Sequence, residues 1–164
     1  MTQYEIIMKS IYLDASIPSA FCEKSQLERR KITRKWWNNE ISRYEVLVSR
    51  LTIEEIEALK TKEKREAILS LIQDFPVLEN SPAAERVAKK YIEEKIIPPN
   101  AFNDALHLAI AVANKKDILL SWDFAHLVNS KVERRINAYN LISGYSRIRI
   151  VSPQDLMKEA DQVN

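Results

Sequence analysis

Ile11-Tyr12-Leu13-Asp14-Ala15-Ser16 is the stretch that decides the fold: three large apolar or aromatic residues run straight into a carboxylate and then into two small residues. Ile118-Leu119-Leu120-Ser121-Trp122-Asp123 repeats the arrangement far along the chain. Short apolar runs of this kind fit strands buried on both faces. Working outward, the pattern predicts four strands, at Ser10 to Asp14, Val46 to Ser49, Ile118 to Trp122 and Ile148 to Val151. Helical segments are predicted between them. These are Ser25 to Trp37, Thr52 to Leu59, Lys64 to Gln73, Pro82 to Lys95 and Ala101 to Asn114, with a last helix opening at Ser152-Pro153. Thr52-Ile53-Glu54-Glu55 has the form of a capping box, with Thr52 as cap and Glu55 three residues on. Ser81-Pro82 supplies a cap followed by proline at the first helical position. Strands alternating with helices define an α/β class. The expected architecture is a three-layer α/β/α sandwich with a central, mainly parallel sheet, built as one domain over residues 1–164.

Composition narrows the function. Hydrophobic residues make up 46% and charged residues 29%, so a core can form without staples. The single cysteine, Cys22, excludes an intrachain disulfide, and with two histidines a zinc finger is excluded as well. No apolar run approaches a membrane span and no signal-peptide pattern opens the chain, so the expected compartment is a reducing cytoplasm. One glycine, Gly144, excludes every phosphate-binding loop built from several glycines. The net charge of +2 is too even to argue for nucleic acid by bulk charge. Position has to carry the argument.

The acids carry it. Asp14 and Asp123 each follow an apolar strand, and in open parallel sheets the strand carboxyl ends form the ligand crevice. Asp104 opens the alanine-rich helix, where the helix dipole favours an ionised carboxylate. Glu55 lies just after the second strand, in the first turn of its helix. Each acid also has a structural reading. Asp14 can serve a turn, Glu55 a capping box, Asp104 the helix dipole, and Asp123 a cap for the next helix. Four acids converging on one edge repel one another unless a cation neutralises them. Oxygen donors without cysteine favour Mg²⁺ or Mn²⁺ over zinc. Such ions commonly serve phosphate substrates, which gives metal-assisted phosphodiester hydrolysis as the expected chemistry.

The ordered set Tyr12-Leu13-Asp14-Ala15-Ser16, Val48-Ser49-Arg50-Leu51-Thr52-Ile53-Glu54-Glu55-Ile56, Asn103-Asp104-Ala105-Leu106-His107-Leu108-Ala109 and Leu120-Ser121-Trp122-Asp123-Phe124 resembles the PIN domain family, and within it the VapC-type toxin-like ribonucleases. Asn129 through Pro153 is similar to that family's final strand and helix. The resemblance implies an acid cluster that binds Mg²⁺ or Mn²⁺ and hydrolyses single-stranded RNA. On it, Asp14, Glu55, Asp104 and Asp123 match the four acids in order. Glu55 is taken over Glu54 because it precedes Ile56. Asp14 and Asp104 are expected to hold the metal directly, with Glu55 completing the shell directly or through water. Asp123 is expected to bind a second ion, position water or sit in the outer shell. Ser16 and Ser121 match supporting hydroxyl positions. The implied partners are an RNA substrate, single-stranded or structured, a cognate antitoxin and a second copy of the chain.

His107 and His126 have two readings, a packed histidine or a metal ligand, of which packing is the expected one. The basic run that includes Arg29, Arg30, Arg34 and Lys35, followed by Trp36-Trp37, reads as an RNA-binding face. It reads equally as a partner groove, or as a solvated helix with its tryptophans packed inside. The expected function is a metal-dependent endoribonuclease acting as the toxin of a type II toxin–antitoxin pair. The alternatives are a nuclease of RNA processing without an antitoxin, and a catalytically inactive regulatory or interaction module.

Overall fold

The computed structural model describes residues 7–162; the single domain expected over residues 1–164 extends past them at both ends. Among the described residues five strands form one sheet, β1 (Ser10–Leu13), β2 (Glu45–Ser49), β3 (Val77–Leu78), β4 (Ile118–Leu120) and β5 (Arg149–Val151). Their order across the sheet is β3-β2-β1-β4-β5. All four pairings are parallel, with Ile11 opposite Val46 on one side and Ile118 on the other. The chain therefore builds outward from β1 through β2 to β3, then returns to lay β4 and β5 on the opposite flank. Between β1 and β4 the winding reverses, and in open sheets that point leaves a crevice at the strand carboxyl ends.

Eight α-helices among the described residues cover the sheet: α1 (Ser16–Cys22), α2 (Leu27–Asn39), α3 (Arg50–Glu57), α4 (Lys62–Ile72), α5 (Pro82–Glu93), α6 (Phe102–Ala113), α7 (Ser130–Ser143) and α8 (Pro153–Gln162). The pleat sorts the core into two halves. Ile11, Leu13, Val46, Val48, Ile118 and Leu120 point to the layer of α1, α2, α4 and α8, around Ile17, Trp36, Ile68 and Leu156. Tyr12, Leu119 and Ile150 point to the layer of α5, α6 and α7, around Tyr91, Leu108, Ile110 and Ile136. This is the three-layer sandwich the sequence predicts. Ile11, Tyr12 and Leu13 are fully buried. Full burial of such side chains contributes about 1.5–3 kcal/mol each, so the position of Asp14 just beyond them is firmly set.

Several boundaries differ from expectation. β1 stops at Leu13 and β4 at Leu120, although the Asp14 and Ser121 N–H groups still reach the Leu120 and Val151 carbonyls of the neighbouring strands at 3.5 and 3.1 Å. β3 has two residues, too few for a periodic signal. α1 is seven residues long with Pro18 in its first turn, too short for patterning to reveal. α7 lies inside the segment expected to hold only a final strand and helix; Asn129 caps it at Val132 N, and Gly144 closes it with φ 78°. The capping box at Thr52 is not formed. α3 starts at Arg50, and Ser49 is its cap, accepting the Thr52 N–H at 3.2 Å. Thr52 is thus inside the helix, and Glu55 is released from capping to do something else. Ser81 caps α5 as expected, accepting the Ala84 N–H at 3.1 Å. α5 and α6 end on lysines with positive φ, Lys95 and Lys115, both at 56°, in a position usually given to glycine. Among the described residues no helix is long and apolar enough to cross a membrane.

Candidate active site

Asp14 leaves the carboxyl end of β1 and is buried, with 5% exposure. One carboxylate oxygen accepts from the Ser16 N–H at 3.0 Å and from the Ser16 hydroxyl at 2.5 Å. The other accepts from the Ser121 hydroxyl at 2.5 Å. Both serines also hold the backbone just past β4. Ser16 Oγ accepts the Trp122 N–H at 2.9 Å, and Ser121 Oγ accepts the Asp123 N–H at 3.0 Å. Asp14 is therefore clamped to the opposite side of the switch point. Burial pushes its carboxyl above the ordinary value, while His107 and the hydroxyls of Ser121 and Ser16 pull the other way.

Asp104 stands in the first turn of α6, as the sequence predicts. Its carboxylate meets Nδ1 of His126 at 3.0 Å, and Asp123 lies 3.7 Å from the same nitrogen. The Asp104 carboxyl is pushed up to about 6, first by burial and then by the neighbouring Asp123 carboxyl, against the pull of His126. Among the described residues, Asp104, Asp123 and His126 form the group whose potential ligand atoms all lie within 4.8 Å of one another. The resemblance implies Asp14 and Asp104 as the direct metal ligands; in the structure Asp104 gathers with Asp123 and a histidine. Asp123 caps no helix directly. Its Oδ1 accepts the His126 N–H at 3.0 Å, and its carbonyl accepts from Leu127 and Val128, closing a tight turn.

Glu55 projects from α3 toward His107 on α6, and its carboxylate accepts from His107 Nε2. That fixes the donor side of the ring. The opposite nitrogen, Nδ1, lies 2.7 Å from the Tyr12 hydroxyl, which also meets Ser49 Oγ at 2.6 Å and Thr52 Oγ1 at 3.3 Å. Thr52 in turn donates to the Leu13 carbonyl at 3.2 Å. His107 and Tyr12 are buried, and burial holds the Tyr12 hydroxyl well above its ordinary range. His107 is indeed packed, but against a tyrosine and a carboxylate rather than backbone. Glu54 is exposed and takes no part in this chain.

The basic stretch divides. The Arg29 guanidinium lies over Trp122 at 5.3 Å and over Phe124 at 5.5 Å from the ring centroids, beside Asp123. Arg34 donates from Nε to the Phe21 carbonyl at 2.9 Å and stacks on that ring, so it braces α2 against α1. Arg30 is half-buried, and its Nε has no partner among the described residues. Lys35 is exposed. Trp36 is wholly buried and Trp37 packs on Phe21 and Phe75, so neither offers a free stacking face.

The acid cluster lies at the switch point of a five-stranded parallel sheet, and one family profile matches the chain. The PIN domain profile covers residues 11–127, and the chain belongs to the PIN domain family. Solved structures agree in fold. Mycobacterium tuberculosis VapC20, a sarcin-ricin loop cleaving toxin, superposes with a TM-score of 0.58 at 16% identity, over 71% of this chain and 92% of that one. VapBC2 from Rickettsia felis, bound to a DNA fragment from its promoter, gives 0.53 at 16% identity, over 87% of this chain and 98% of that one. VapBC-5 from Mycobacterium tuberculosis, of the VapBC toxin–antitoxin family, gives 0.50 at 15% identity, over 89% and 99%. No curated protein matches the chain in sequence.

Proposed function

We propose that the chain is a metal-dependent endoribonuclease that hydrolyses phosphodiester bonds in RNA, and that it is the toxin of a type II toxin–antitoxin pair. The observation that carries the reading is the meeting of Asp104 and Asp123 at the crevice, next to a serine-clamped Asp14, with the Asp104 carboxyl raised to about 6 by its surroundings. Two carboxylates held that close favour a cation between them. Membership of the PIN family and the likeness in fold to VapC toxins support the same reading.

The donor set suits Mg²⁺ or Mn²⁺, held by Asp104 and Asp123 with Asp14 and Glu55 alongside. A divalent ion bound there supplies an acidified water and charge stabilisation for the leaving oxygen. The chain's own side chains do the rest. Ser16 and Ser121 fix the Asp14 carboxylate in one orientation and tie it to the backbone that carries Asp123. His107 holds Glu55 at the rim and is itself oriented by Tyr12. Arg29, stacked on Phe124 beside Asp123, offers a cation to an RNA phosphate at the entrance.

The test is cleavage of single-stranded RNA by the purified protein with and without Mn²⁺, wild type against Asp14→Asn. Metal-dependent cleavage that the variant loses, with the fold intact by circular dichroism, is expected. Cleavage retained by Asp14→Asn sinks the reading. The toxin role has its own test: induced wild type should arrest growth, Asp14→Asn should not, and co-expression of an antitoxin, where one is encoded beside it, should relieve the arrest.

A further inference from the structure

We propose that His126 Nδ1 is a nitrogen ligand of the cation held by Asp104 and Asp123, and that it makes the site select Mn²⁺ over Mg²⁺. The inference rests on the metal-dependent reading above and gives that site a metal preference.

The two histidines of the chain are placed differently. His107 is buried and has both ring nitrogens engaged, by Glu55 and by Tyr12. His126 is half-buried, and its Nδ1 is turned toward two carboxylates that pair with no other cationic side chain among the described residues. The ring is held there by its own backbone. His126 N–H donates to Asp123 Oδ1 at 3.0 Å, and the next two residues bond the Asp123 carbonyl at 3.2 and 2.7 Å. Leu127 and Val128 are buried and anchor the turn in the core. On helices of di-metal bundles a carboxylate and an imidazole three residues apart form a metal-holding pair; here the same spacing stands in a turn, with Asp104 facing it from α6.

The chemistry then decides the ion. Mg²⁺ prefers oxygen donors and keeps its waters, so an imidazole adds little to its binding. Nitrogen donors favour the transition series, which begins in affinity at Mn²⁺. A set of carboxylates alone would discriminate weakly between the two ions. One imidazole among them introduces the preference.

The experiment measures metal binding on the intact protein near neutral pH, by titration calorimetry with Mn²⁺ and separately with Mg²⁺, for wild type, His126→Ala and Asp104→Asn. Pulsed electron paramagnetic resonance of bound Mn²⁺ reports directly on a coordinated imidazole nitrogen. His126→Ala should weaken Mn²⁺ at least about tenfold and Mg²⁺ by a much smaller factor. The nitrogen coupling should be present in the wild type and lost in the variant. With two histidines in the chain, its loss assigns the ligand. Unchanged or tighter Mn²⁺ binding, equal weakening of both ions, or no nitrogen coupling in the wild type overturns the proposal. If His126→Ala does not fold, a wild-type spectrum compared with folded His126→Gln decides. Asp104→Asn separates the two levels. If it too leaves Mn²⁺ binding unchanged, the metal site itself is wrong; if it abolishes binding while His126→Ala does not, only the ligand assignment fails.

Discussion

Carboxylates converge at two places in this molecule. On the flank of β5, Glu133 and Glu159 meet at the Arg149 guanidinium, which donates to both, and Glu133 also accepts the Ile150 N–H at 2.7 Å. At the strand carboxyl ends, Asp104 and Asp123 meet at a histidine, with Asp14 behind them held only by serine donors. The first pair has a permanent cation and a backbone donor. It fastens α7 and α8 to the edge of the sheet and leaves nothing over. The second has only an imidazole facing it, and no arginine or lysine pairs with it among the described residues. Convergence of acids alone does not mark a reactive centre; what neutralises them does.

The sharpest way to break this comparison is to remove one acid from each place. Asp104→Asn should lower RNA cleavage by roughly three orders of magnitude, on the scale seen when one member of a catalytic unit is lost. The metal-free variant should melt no lower than wild type, because a repelling carboxylate has gone. Ser121→Ala removes one hydroxyl that serves both Asp14 and the Asp123 backbone, and should lower kcat about 10–100-fold with KM little changed. Arg149→Ala should leave cleavage intact and destabilise the fold by about 1–3 kcal/mol in urea unfolding, since Glu133 is left half-buried without its cation.

The pH response separates the two places further. The Asp104 carboxyl, at about 6, lies above its ordinary value of 3.8. The folded chain therefore holds a proton that the unfolded chain releases, so this group's contribution to stability is fullest below about pH 4 and is lost as pH rises through 6. On the proposed metal site, Mn²⁺ would displace that proton. The rise in melting temperature on adding Mn²⁺ should be larger at about pH 7.5 than at about pH 5. An equal rise at both would contradict the placement of the ion. The smallest effect is expected at the far end of α6. Lys115→Gly relieves a left-handed lysine and should stabilise by about 0.5–1 kcal/mol without touching cleavage.

The sheet is legible in the sequence because its strands are buried on both faces, which leaves apolar runs that end at Asp14 and just before Asp123. The positions of Glu55 and Asp104 come from helix starts next to those ends. Hidden from sequence is whatever needs tertiary contact. Ser49 and Thr52 are both hydroxyl residues at a strand-to-helix junction, and only packing of Thr52 against Tyr12 and Leu13 decides which one caps. β3 pairs through two residues that would carry no ladder alone. Ile136 and Asn140 give α7 a buried face, yet the exposed Leu141 and Ile142 blur its period. His126 reads as structural in sequence; the one local signal is its place three residues after Asp123, where a turn brings side chain and backbone together. The partnership of His107 with Glu55 spans two helices, and no spacing in the chain announces it.

Laying β4 beside β1 has a consequence for the timing of synthesis. The serine that locks Asp14 lies 107 residues downstream of it. A growing chain that has already released Asp14, Glu55 and Asp104 from the ribosome still lacks Ser121, Asp123 and the turn that carries His126. Parallel pairing over that separation is slow to close, because the intervening loop must be ordered first. The crevice therefore stays incomplete until β4 and the turn that follows it have emerged and paired with β1.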